Sequence, residues 1–113
     1  MALIDWDQFE DNFSYYDKET IREVIESYLE EYEERIKALE QYLAKRELSQ
    51  LSFHAHSLKS VIGNFMAAEP YELCRKIEFH AKEGETEELP ALLESLKIKI
   101  NELNRELKEY LQT

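Results

Sequence analysis

Residues 53–65 read "FHAHSLKSVIGNF". With the register carried back to Leu51, the apolar residues Leu51, Ala55, Leu58, Ile62 and Phe65 recur at intervals of four, three, four and three. That is the period of a helix with one face turned to a core, and it predicts a helix over about Leu48 to Met66. With Ala55, Leu58 and Ile62 inward, His56, Lys59 and Gly63 lie about 100° around the axis, and Ser60 stands a turn above His56. These residues form a line at the solvent boundary.

The same period extends outward in both directions. Asp17 as an N-cap, or Thr20 with Glu23 as a capping box, starts a helix to about Arg46. Its stripe is Ile21, Val24, Ile25, Tyr28, Tyr32, Ile36, Leu39 and Leu43, and "EEYEER" supplies a wet face with Glu33 supporting Lys37. Another helix follows Glu69, tolerates Pro70 in its first turn, presents Leu73, Cys74, Ile77 and Ala81 inward, and closes at Gly84. Thr86 with Leu89 opens a last helix to about Leu111, with Pro90 in its first turn. Its stripe runs Leu89, Leu92, Leu93, Leu96, Ile100, Leu103, Leu107 and Leu111. A short opening helix, about Trp6 to Phe13, places Trp6, Phe9 and Phe13 on one face, as a lid. The expected fold is all-α: one domain over residues 1–113, an antiparallel up-down four-helix bundle with a short N-terminal capping helix.

Composition supports this reading. Two glycines and two prolines in 113 residues leave few turns for a sheet and no glycine-rich nucleotide cradle. The formal net charge of −11 disfavours nucleic acid and anionic lipid as partners. No apolar run is long enough to span a bilayer and the N-terminus lacks a signal-peptide pattern, so the expected location is cytoplasmic. Cys74 has no second thiol to pair with and is expected in the core.

His56 is the candidate for a residue that carries chemistry. Its neighbours on the strip are a lysine, a serine and a glycine, so it is not a core histidine. Glycine within a helix costs about 1 kcal/mol relative to alanine, which asks for a packing or docking reason at Gly63. Lys59 suits a phosphoryl oxygen and offsets the charge such a group brings. A metal site fits less well, because His54 and His56 point about 200° apart and no Glu-x-x-His pair faces inward. His54 and His80 are expected to be boundary histidines, and Tyr28 and Tyr32 core residues.

The segment "AHSLKSVIGNF" followed by "ELCRKIEFHAKEG" resembles the histidine-containing phosphotransfer (HPt) domain, with its H-x-L-K-[GS] pattern. The resemblance covers about 30 residues, Ala55 to Gly84, and more weakly the whole chain. It implies a four-helix bundle in which His56 accepts a phosphoryl group from a receiver-domain aspartate and passes it to another. Lys59 is then the adjacent cation, and Glu78 falls where a Gln or Glu often reaches the imidazole. Such a group would accept from Nδ1–H and leave Nε2 as the nucleophile. Ser57, Ser60 and Gly63 would form the docking surface. The chain departs from the pattern at Ser60 and at Met66, where many members carry glycine.

The implied partners are receiver domains of response regulators or a hybrid histidine kinase. They would supply Mg²⁺, the chain itself having no cofactor and no kinase activity. A monomer is expected. One alternative is a phosphorylation-incompetent helical adaptor that docks receivers. Another is a kinase dimerisation helix pair, which would need a second chain and an ATP-binding domain.

Overall fold

The structure is a computed structural model that describes residues 2–113. These residues form α1 (Trp6–Asn12), α2 (Lys18–Ala44), α3 (Leu48–Gly63), α4 (Ala68–Glu83) and α5 (Leu89–Leu111). Helix α2 packs against α3 and α5, α3 against α4, and α4 against α5, which closes a four-cornered bundle. Every member of the α3 stripe, Leu51, Ala55, Leu58, Ile62 and Phe65, is buried. Burying a side chain such as Leu58 contributes about 1.5–3 kcal/mol, so rotating α3 to retract His56 would expose several such groups at once. The core thus fixes the direction in which His56 points.

Helix ends differ from the sequence expectation in instructive ways. Asp17 caps α2 by accepting from the Thr20 N–H at 2.8 Å, so the helix starts at Lys18 and the Thr20–Glu23 capping box is not used. Helix α2 stops at Ala44 because Arg46 turns left-handed (φ 57°) and the Glu47 N–H reaches back to the Tyr42 carbonyl at 2.9 Å. Helix α3 ends at Gly63 rather than Met66. The chain tightens there through bonds from Asn64 to Val61 and from Phe65 to Ile62, which tucks Phe65 into the core. Met66 then reverses direction at φ 57°. Helix α4 begins at Ala68, ahead of Glu69, and closes on Gly84 at φ 73° as expected. Helix α5 has no side-chain cap, so Thr86 does not serve as one; its backbone carbonyl instead accepts from Leu89 N–H at 3.3 Å. Lys37 pairs with Glu34 at 4.0 Å and not with Glu33, both partners being exposed.

The N-terminal segment is fastened to the bundle end. Phe9 and Phe13 are buried, and Trp6 and Phe9 pack on Tyr110 with ring centroids 5.5 and 5.2 Å apart. Asp5 N–H donates to the Met66 carbonyl at 3.0 Å, and the Asn12 side-chain amide donates to the Asn64 carbonyl at 3.0 Å. The α3–α4 turn, left-handed Met66 included, is therefore braced from outside. Among the described residues, no helix is long and apolar enough to cross a membrane.

Candidate functional site

Helices α3 and α4 run antiparallel, so residues near the middle of one face residues near the middle of the other. Ser52 marks the register: it is buried, and its hydroxyl donates to the Glu78 carbonyl at 3.3 Å. Glu78 is thereby set opposite His56 and Lys59. One carboxylate oxygen, Oε2, accepts from His56 Nδ1 at 2.9 Å, and the other, Oε1, accepts from Lys59 Nζ at 2.8 Å. The Lys59 and Glu78 side chains are only 17% and 15% exposed, whereas that of His56 is 59% exposed. The acid and the lysine are sheltered in the α3–α4 seam, and the ring stands out from it.

This geometry defines the tautomer. A carboxylate only accepts, so Nδ1 carries a proton, and in the neutral ring the lone pair is on Nε2. Burial pushes the Glu78 carboxyl up, but hydrogen bonds from Lys59 and His56, with their charges, outweigh it and hold the group below the usual glutamate range. Glu78 is ionised at neutral pH and positions both partners.

The sequence profile of the Hpt domain matches residues 23–112 of this chain. The chain belongs to the Hpt domain family. Members of this family are histidine phosphotransfer proteins of phosphorelays, carriers of phosphoryl groups with receiver domains as partners. The fold is similar to the crystal structure of histidine-containing phosphotransfer protein B (HptB) from Pseudomonas aeruginosa PAO1. That similarity has a TM-score of 0.89 and 23% identity, and covers 96% of this chain and 94% of the other. No curated protein matches the sequence.

In this Hpt domain the structure brings together His56, Lys59 and Glu78. Ser60 is exposed a turn above His56, its hydroxyl donating to the His56 carbonyl at 3.2 Å. Gly63 lies two turns above His56 beneath the Tyr71 ring; a Cβ there would meet Tyr71 Cε2 at 3.4 Å. That is ordinary van der Waals contact, so the Tyr71 ring does not by itself require glycine here. Ser57 faces the other way, toward α2, where its hydroxyl accepts from Arg35 Nη1 at 3.1 Å.

The remaining histidines stand apart from this cluster. His54 stacks on Tyr42 at 4.9 Å, and His80 lies between Glu85 and Glu88 at 3.5 and 3.3 Å. Cys74 is fully buried, and that burial pushes its thiol up to about 12. Tyr28 is buried and Tyr32 half-buried.

Two features of the site were not anticipated. Leu48 to Ala68 contains no Asp or Glu, in a chain holding 25 of them. Arg35 reaches α3 beside His56, and its place on the α2 stripe was the available signal: it stands seven residues after Tyr28 and four before Leu39.

Proposed function

We propose that this Hpt domain carries a phosphoryl group on His56 between receiver-domain aspartates. The observation that carries the reading is the exposed imidazole whose Nδ1 is held at 2.9 Å by Glu78, with Lys59 on the same carboxylate at 2.8 Å. Nε2 attacks the phosphorus of the aspartyl phosphate in line; the Nε2–P bond forms as the P–O bond breaks, and the aspartate carboxylate leaves with the electron pair. The proton stays on Nδ1, so the ring becomes positive, and the Glu78 carboxylate offsets that charge. Transfer onward is the same step reversed.

Lys59 supplies positive charge beside the phosphoryl oxygens, and Ser60 and Gly63 belong to the surface a receiver covers, whereas Ser57 is turned toward α2. Mg²⁺ comes with the receiver's own acidic site and stabilises the transferring group. The chain acts as a monomeric carrier and does not phosphorylate itself from ATP.

The test is transfer from a phosphorylated receiver domain with Mg²⁺ to the purified protein and to His56→Gln. Acid-labile, base-stable label on the wild type alone is the expected result. Label on both proteins would remove His56 from the role, and label on neither, across several receivers, would favour an adaptor that docks without chemistry.

A further inference from the structure

A phosphoryl group on His56 would bring about two negative charges at neutral pH to a chain whose formal net charge is already −11. The cation on the α4 side is committed: Lys59 Nζ is 2.8 Å from Glu78 Oε1. Lys59 is therefore partly offset by Glu78, and the α4 side neutralises only part of the incoming charge.

A second cation is held on the opposite flank. Ser57 lies about 100° around α3 from His56 in one direction, and Lys59 about 60° in the other. Arg35 reaches across from α2 to Ser57 Oγ at 3.1 Å, with Nη2 3.4 Å from Glu31. Both partners hold it weakly. The hydroxyl is neutral, and Glu31 is 57% exposed at the limit of hydrogen-bond distance. The Arg35 side chain itself is only 28% exposed, lying in the α2–α3 groove beside a stretch that carries no carboxylate.

Resting on the carrier reading above, we infer that Arg35 is a second phosphoryl-binding cation. Once His56 is phosphorylated, the guanidinium turns from Ser57 toward the phosphoryl oxygens on the α2 side, while Lys59 faces them from the α4 side. Its planar fork matches two of those oxygens. The charge favours the dianionic phosphoryl group over the monoanionic one.

The experiment uses the full chain with phosphoramidate, a small donor that needs no receiver. The donor P–N bond breaks as the Nε2–P bond forms, and the donor nitrogen leaves as ammonia. The pH titration of the phosphohistidine ³¹P resonance is then compared among wild type, Arg35→Gln, Arg35→Lys and Ser57→Ala. Arg35→Gln should raise the midpoint by about 0.8 pH unit, roughly a six-fold change, as expected for one charge at about 4 Å in a water-like medium. Arg35→Lys should restore most of the shift, and Ser57→Ala should leave the midpoint at the wild-type value.

Equal midpoints in wild type and Arg35→Gln would overturn the inference. So would a shift in Ser57→Ala as large as that in Arg35→Gln, because the α2–α3 link would then be responsible rather than the charge. Absence of any phosphohistidine resonance from wild type, in folded protein, would overturn the carrier reading itself and this inference with it.

Discussion

Glu78→Gln isolates the charge of the group that organises the site. The amide has the shape of the acid but only one acceptor oxygen, so one of His56 Nδ1 and Lys59 Nζ, which now lie at 2.9 and 2.8 Å from separate oxygens, would face an NH₂ donor instead. Lys59 is left as a cation in a seam where its side chain is 17% exposed. Exposed ion pairs contribute about 0–1 kcal/mol, and breaking a fully buried one costs about 3–5. At this intermediate exposure the substitution should destabilise by about 1–2 kcal/mol at pH 7, or roughly 3–8 °C in Tm for a domain of this size.

The pH dependence gives the sharper test. Although burial alone would raise the Glu78 carboxyl, Lys59 and His56 hold it below its ordinary value of 4.5. Its contribution is therefore complete above that value and is lost as pH falls through the lower folded value. The gap between wild type and Glu78→Gln should be full at pH 7 and smaller at about pH 3, as the wild-type carboxyl takes up its proton. Urea unfolding followed by far-ultraviolet circular dichroism at both pH values measures it. Equal stability at pH 7, or an undiminished gap at about pH 3, would refute the reasoning.

Other positions give independent checks. Arg46 is exposed at φ 57°, so Arg46→Gly should stabilise by about 0.5–1 kcal/mol, whereas Gly84→Ala, at φ 73° with nothing within 4 Å of the new Cβ, should destabilise by about 1 kcal/mol; thermal unfolding reports both. Asn104 is 4% exposed and its side-chain N and O have no partner among the described residues, so Asn104→Leu should raise stability by about 1–2 kcal/mol in urea titration. Cys74, buried and with its thiol pushed up to about 12, should resist a thiol reagent at pH 8 and react within minutes in denaturant, as read by absorbance.

The α3 stripe and the Gly84 closure were legible because both are local: a repeat of apolar residues, and a glycine where the pattern stops. The end of α3 was not. Phe65 continues the stripe by spacing, yet it reaches the core only after the helix has tightened, and Met66 holds a left-handed conformation braced by the Asp5 N–H. Nothing in the residue type of methionine announces that. Within the site, His56 and Lys59 share one helix and could be placed from the period alone. Glu78 depended on the register between two helices, which the family resemblance suggested and the Ser52 hydrogen bond to the Glu78 carbonyl accounts for. Lys37 chose Glu34 over Glu33 because both spacings are reachable on an exposed face and little energy separates them.

The stretch from Leu48 to Ala68 adds no negative charge of its own to the face that carries His56, where Glu78 is the carboxylate that touches the ring. On the carrier reading proposed above, a receiver's acidic phosphorylation site would be repelled by most of this surface and least around His56. Repulsion elsewhere then acts as an orientation filter, discarding unproductive approaches before contact. Added salt should consequently raise the overall frequency of encounters while lowering the fraction that arrive with the imidazole in front.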